Sequence, residues 1–363
     1  MSETTMTTPA PTPVFTRSDI RLVGIGVTLF VASALCHMME APAVVTFVVT
    51  ALALAAMASL VGEATEHLGS RFSAGVTGII QSALGNLPEL FFALFALKAG
   101  LGPVVAAALV GSVLANALLV LGGAFVIGGL RHGPQRFDAA GPNRLVVLLL
   151  LGTAVLAIPS LTAHLHVAVS AHERALSMIA AVVLLVLFAL SIPATIAGET
   201  GETEHAPGTP GWPMWLVGTV LLSSAVGAAF IADWFVASLT PALHVLHMSE
   251  AFAGFVVVAI AGNAVENVIG IQLAAKDKPT YALSVIVQSP IQIIYVLFPA
   301  VVLLSAALGW GAFTLVLSPV LLIMLVLAAV LVTAVVLDGE STWLEGATLI
   351  ALYLVIAASF WWG

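Results

Sequence analysis

Two short polar stretches, each buried in a long apolar run, set the terms for any fold this chain adopts. Gly85-Asn86-Leu87-Pro88-Glu89-Leu90 interrupts an apolar run from about Ala74 to Ala99, and Gly262-Asn263-Ala264-Val265-Glu266-Asn267 interrupts another. A carboxylate at the centre of a bilayer costs about 2.5–3.5 kcal/mol on insertion scales, so an intramembrane glutamate points to function. Gly85 and Pro88 weaken the helix around Glu89 and free backbone carbonyls to line a cavity. The two stretches correspond residue by residue: Asn86 with Asn263, Glu89 with Glu266 and, further on, Ser112 with Ser289, each pair 177 residues apart. Matched helix-breaking polar motifs in two halves of a membrane protein mark a transporter binding site.

The membrane setting follows from composition. Of 363 residues, 61% are hydrophobic and 8% charged, and the mean hydropathy is +1.16, far beyond what a soluble core needs. The single cysteine, Cys36, excludes an intrachain disulfide. No basic cluster suggests nucleic-acid binding. No nucleophile–base arrangement stands out, so an enzyme is not expected, and no cofactor is implied.

Eleven spans are expected, near 21–39, 42–62, 74–99, 102–130, 144–163, 173–197, 212–236, 249–274, 280–308, 312–337 and 343–362. The expected fold is thus an all-α polytopic membrane protein. Residues 1–20 read as a disordered cytoplasmic tail and 21–39 as a first helix. Residues 42–198 form a first five-helix repeat, 199–211 an acidic cytoplasmic linker and 212–363 a second repeat. Five is odd, so the second copy enters the membrane inverted. With the N-terminus inside, Arg17, Arg21, Arg71, Arg131, Arg136, Arg144, Lys276 and Lys278 share its side, and Lys98 and Arg174 lie opposite. That bias predicts a cytoplasmic N-terminus and an external C-terminus. A prokaryotic inner membrane fits a short tail without an organelle address. His37, His164, His166, His172, His244 and His247 then fall outside, as interfacial residues.

Ser82, Asn86 and Glu89 share one helical face, as do Asn263 and Glu266. Ser112 and Asn116 line a second helix. Ser284, Gln288, Gln292 and Tyr295 run down another, with Ser289 beside them. These faces should meet around one cavity, although a lone Ser or Tyr in a membrane helix is commonly packing, as for Ser82, Ser284 and Tyr295. Its donors are oxygens, which suit hard cations such as Ca²⁺ and not soft metals. Two facing carboxylates at about 6 Å and an effective dielectric near 20 repel by roughly 3 kcal/mol. A divalent cation or protons must neutralise them, and competition between the two is an exchange mechanism. Glu63 and Glu66, in Gly62-Glu63-Ala64-Thr65-Glu66, end the second span on the inner side as candidates for cation access or gating.

These motifs resemble a known family. Gly85-Asn86-x-x-Glu89-Leu90 with Phe95-Ala96-Leu97-Lys98-x-Gly100 is similar to the first repeat of CAX-type cation/proton exchangers, within the calcium/cation antiporter superfamily. Gly262-Asn263-Ala264-x-Glu266 and Gln288-Ser289-x-Ile291-Gln292 resemble the second. Gly62–Glu66, Gly111-Ser112-x-Leu114-x-Asn116 and Trp343-Leu344-Glu345-Gly346 match as well, so the likeness spans nearly the whole chain. The resemblance implies eleven helices and Ca²⁺/H⁺ antiport by alternating access, with Glu89 and Glu266 binding Ca²⁺ or protons in turn. Gly85, Gly262, Asn86, Asn263, Ser112, Asn116, Ser289 and Gln292 complete the expected site, and the oligomeric state stays open. Sodium/calcium exchangers of the superfamily typically carry a Thr-Ser pair where Asn86 and Asn263 stand, which favours proton coupling. Asn267 replaces a frequent histidine, and Pro88 and Pro290 replace small residues. Na⁺ or K⁺/H⁺ antiport is the alternative, and a cation channel a more distant one.

Overall fold

The apolar runs become helices because a backbone in hydrocarbon must satisfy its own polar groups. The computed structural model describes residues 16–69, 71–72, 80, 83–137, 140–198, 212–310 and 312–362, apart from the side chains of 140, 193–198 and 264–267. Among the described residues, nine helices are long and apolar enough to cross a membrane. In chain order the first elements are α1 (Arg17–Met38), α2 (Ala43–Gly69), α3 (Leu87–Lys98) and α4 (Gly102–Leu114). A π-helical segment, Ala115–Val120, joins α4 to α5 (Leu121–His132). Then come β1 (Gln135–Arg136), α6 (Ala140–His164), α7 (Glu173–Gly198) and α8 (Met214–Leu246). The short α9 (Glu250–Phe252) continues through a π-helical Ala253–Val258 into α10 (Ala259–Gly262), and α11 is Ala264–Ala275. Helix α12 (Pro279–Gln292) passes through a π-helical Ile293–Leu297 into α13 (Phe298–Leu308). The chain closes with α14 (Pro319–Leu337), β2 (Glu340–Ser341) and α15 (Trp343–Trp361).

The spans expected at 74–99 and 249–274 are the ones that carry the motifs, and neither is a continuous helix. Helix α3 starts only at Leu87, after a turn at Gly85 and Asn86, and Pro88 stands in its first turn, where a missing N–H costs nothing. The second break has a different cause. Asn263 turns its side-chain Nδ2 onto the Ala259 carbonyl at 2.9 Å, while its backbone N–H is 3.4 Å from the same oxygen. The side chain has taken over a helical acceptor. Asn86 (φ −92, ψ 14) and Asn263 (φ −101, ψ 24) share one backbone conformation at the two breaks. Helices α3 and α11 are each 12 residues long, and α4 and α12 follow them at Gly102 and Pro279, again 177 residues apart. A π-helical turn then follows in both halves, at Ala115 and Ile293.

Several boundaries differ from the sequence expectation. Helix α1 starts at Arg17 and not at 21, because Thr16 and Asp19 form a reciprocal capping box; residues 17–20 are therefore helical rather than tail. Helix α2 runs on to Gly69, which puts Glu63 and Glu66 inside it and not at its end, since Ala64 is packed in a cluster with Trp212, Leu216 and Val217. Helix α8 continues past 236 to Leu246, where His247 closes it in the left-handed conformation. Residues 312–318, expected to open the tenth span, are non-helical. Pro319 starts α14 and Ser318 caps it, while two N–H groups of the non-helical backbone are satisfied by hydroxyls: Leu315 N donates to Ser177 Oγ and Leu317 N to Ser160 Oγ. The linker 199–211 and residues 1–15 lie outside the described residues.

Connections expected on one side of the membrane touch one another. Strand β1 pairs antiparallel with β2, Gln135 opposite Ser341, and Gln135 Nε2 donates to Asp277 Oδ1 at 2.8 Å. Arg71, after α2, donates to the carbonyl of Trp212, before α8. At the other end His164 Nε2 bonds the Leu317 carbonyl, and the Lys98 ammonium lies 5.3 Å from the Trp310 ring.

Glycines let helices from the two halves meet backbone to backbone. A Cβ on Gly111 would stand 2.7 Å from Phe255 Cα, and one on Gly254 would stand 2.5 Å from the Val104 carbonyl oxygen. Gly122 of α5 and Gly346 of α15 form a second such crossing, each hypothetical Cβ within 2.6 Å of the other's carbonyl oxygen. Small residues at helix contacts are the usual route to close packing in lipid. Gly122→Ala is therefore expected to destabilise the protein by about 1–3 kcal/mol, seen as a lower midpoint of thermal unfolding in detergent. Gly24→Ala, where nothing lies within 4 Å, should leave that midpoint unchanged.

Candidate cation site

Glu89 stands third in α3, as Glu266 stands third in α11. The Glu89 side chain is 5% exposed. Ser112 Oγ, from α4, donates to Glu89 Oε1 at 2.8 Å, and Asn263 Nδ2, from the opposite half, donates to the same oxygen at 2.8 Å. Asn116 Nδ2 donates to Asn263 Oδ1 at 2.8 Å, and Ser289 Oγ donates to it at 3.2 Å. Gly262 lies against Glu89 so closely that a Cβ there would be 2.6 Å from Cγ and 2.8 Å from Cδ. Five side chains, from α3, α4, the π-helical segment after it, the break at Asn263 and α12, thus form one hydrogen-bonded cluster that joins residues 147 and 174 positions apart in the sequence.

The donors to the first-half carboxylate from this cluster are a hydroxyl and an amide, both neutral. Each hydrogen bond to a charged group is worth about 1.5–3 kcal/mol, which offsets part of the desolvation of Glu89. Asn86 is 8% exposed, and its Nδ2 has no acceptor among the described residues. The Asn116 Oδ1 is likewise buried without a partner there. Gly85 forms the turn before α3, and Gln292 is half-buried at the end of α12. The side chain of Glu266 lies outside the described residues, and so does Ser82. The backbone of Glu266 lies three residues beyond Asn263, in the first turn of α11.

Two members of the expected polar stripes serve packing. Ser284 Oγ donates to the Thr280 carbonyl at 2.9 Å, within its own helix, and Tyr295 OH donates to the Leu148 carbonyl at 2.9 Å. The acidic stretch inside α2 belongs to a separate network. Glu63 lies 3.5 Å from His67 Nε2, His67 stacks on Trp212 at 4.5 Å, and Trp212 Nε1 donates to Asp19 Oδ2 at 3.2 Å. Glu66 is exposed. Sequence reasoning missed Asp19, His67 and Trp212 here. The Thr16-x-x-Asp19 capping signature was the available signal for the first, and nothing local announced the other two. Trp343-Leu344-Glu345-Gly346 is also structural: Glu345 completes a capping box with Thr342, and Gly346 makes the crossing with α5.

The sequence profile described as "Sodium/calcium exchanger protein" matches residues 42–196 and 216–362, which is most of the chain in two successive stretches. The chain belongs to the sodium/calcium exchanger family. The chain is 32% identical over 352 residues to the Ca(2+)/H(+) antiporter ChaA of Bacillus subtilis, covering 93% of this chain and 97% of that one. It is 31% identical over 337 residues to the Ca(2+)/H(+) antiporter of Synechocystis sp., covering 86% and 90%. The solved native structure of YfkE matches at a TM-score of 0.80 with 30% identity, over 94% of this chain and 99% of that one. The resemblance to CAX-type exchangers is therefore sound, and the exchanger is an integral membrane protein built of helices.

Proposed function

We propose that this protein exchanges Ca²⁺ for H⁺ across a membrane by alternating access, with Glu89 and Glu266 as the groups that take up the cation or protons. The observation that carries this reading is the meeting of the two broken helices: Glu89 of one half is hydrogen-bonded by Asn263 of the other, deep inside the helical bundle. A buried carboxylate surrounded by hydroxyl and amide groups offers hard oxygen donors suited to Ca²⁺. The same carboxylate accepts a proton when the cation leaves, because an isolated charge at that depth is costly. Cation and proton thus exclude each other, and their exchange needs no further chemical group. The named relatives are Ca(2+)/H(+) antiporters, which agrees with this assignment. The arginine and lysine bias supports a cytoplasmic N-terminus, and the bacterial relatives support a bacterial cell membrane. Gly85, Ser112, Asn116, Ser289 and Gln292 complete the proposed site, while Glu63, tied to His67, serves access from the inner end.

The test uses purified protein in vesicles made acidic inside. Adding Ca²⁺ outside is expected to drive its uptake and collapse the proton gradient together. Na⁺ or K⁺ at the same ionic strength should do neither. Equal collapse by Na⁺ or K⁺, or calcium flux with no movement of protons, would overturn the assignment.

A further inference from the structure

The two motif asparagines are equivalent in sequence and unequal in the fold. Two backbone carbonyls establish this. A carbonyl oxygen can only accept. The amide atom of Asn116 at 3.0 Å from the Ser112 carbonyl is therefore nitrogen, and so is the amide atom of Asn263 at 2.9 Å from the Ala259 carbonyl. The oxygen of Asn263 is turned away from Glu89, toward Asn116 Nδ2 at 2.8 Å and Ser289 Oγ at 3.2 Å. Both N–H groups of Asn263 are used, one on Ala259 and one on Glu89, and its oxygen accepts twice. Its full capacity is spent in one orientation. Toward Glu89 it shows an N–H, the wrong polarity for a ligand of a cation.

Asn86 has neither of the two locks. The residue that mirrors Asn116, four positions after the motif serine in each half, is Ile293, fully buried and without a polar atom to offer. Gln292 is one position earlier, about 100° around the helix. The hydroxyl that mirrors Ser289 is Ser112, and it is committed to Glu89. Accordingly Asn86 Nδ2 is buried with no acceptor among the described residues. The lone unpartnered atom of Asn116 is its oxygen, so that amide acts here purely as a donor.

We propose that Asn116 is a positioning residue that keeps Asn263 as a hydrogen-bond donor to Glu89, and that Asn86 is the motif asparagine whose oxygen is offered to the cation. The inference rests on the cation-exchange reading above and adds a division of labour between the halves. One asparagine steadies the carboxylate through each cycle. The other is free to turn its oxygen toward the ion and away again.

The test compares ⁴⁵Ca²⁺ equilibrium binding to detergent-purified protein with initial uptake rates in acid-loaded vesicles. Asn116→Leu keeps the shape and deletes the donor. Asn263 is then held only by the Ala259 carbonyl and Ser289 Oγ and turns its oxygen inward more readily, so calcium should bind about three- to tenfold more tightly, with a lower maximal rate as release slows. Ile293→Asn installs the missing lock on Asn86, and calcium should bind about tenfold more weakly. Should Asn116→Leu not be recovered as monodisperse protein, Asn116→Ala removes the same donor without bulk. Opposite shifts in affinity support the proposal, because simple loss of packing would not tighten binding. Weaker or unchanged binding in the Asn116 variants, or unchanged binding in Ile293→Asn, overturns it while leaving wild-type Ca²⁺/H⁺ exchange intact. Wild-type protein with no saturable calcium binding would overturn the transport reading and this inference together.

Discussion

Glu89→Gln is expected to end proton-coupled calcium uptake, lowering the initial rate at least about 50-fold while the protein stays folded. The amide is nearly the size of the carboxylate, so packing against Gly262 is kept. What changes is charge and polarity. Glutamine cannot be protonated and released again, and it brings no charge to a divalent cation. It also supplies a nitrogen where Ser112 and Asn263 both donate to an oxygen, or leaves one oxygen to serve both. Loss of hydrogen bonds to a charged group at about 1.5–3 kcal/mol each is enough for this effect. The measurement is calcium uptake into acid-loaded vesicles, normalised to monodisperse protein. Uptake at even a third of the wild-type rate would remove Glu89 from the exchange mechanism. Glu266→Gln should behave alike.

Gly262→Ala should cost nearly as much, by sterics alone. Its methyl would stand 2.6 Å from Glu89 Cγ and 2.8 Å from Cδ, closer than atoms can come. The side chain of Glu89 is the part able to move, and moving it breaks its bonds to Ser112 and Asn263. Calcium transport is expected to fall about tenfold or more on that account. Thermal stability should change less than for Gly122→Ala, where the atom in the way is backbone. A stable Gly262→Ala protein with full transport would show that the observed placement of Glu89 is not the working one.

Much of this was readable in the chain. Glu89 and Glu266 announced themselves because a carboxylate in an apolar run has no cheap structural explanation. The constant offset from Asn86 to Asn263 carried the duplication, since a repeat preserves spacing even where the intervening residues drift. Asn116 was legible as a candidate, but its hydrogen bond to Asn263 was not. Hydrogen-bond direction depends on which atoms of another helix face it, and no local pattern encodes that. The network of Asp19, His67 and Trp212 was hidden for the same reason: it joins residues up to 193 positions apart. Helix ends were misplaced where a capping hydroxyl or buried contact overrode composition, as at Thr16 and at Ser318. Hydropathy reports only what favours lipid, so it placed the non-helical 312–318 segment inside a helix.

The crossing of α4 with the π-helical segment at Ala253–Val258 has a consequence for how such a molecule can be cut and how it can move. Gly111 and Gly254 bring main chain against main chain, leaving no side-chain cushion to slide on. Each half of the polypeptide therefore owns only one cheek of a joint. Fragments severed in the 199–211 linker would each expose a bare glycine notch to lipid and should assemble only as a matched pair. Rocking motions that open the bundle first to one side and then to the other would turn about this point, like scissors about a rivet.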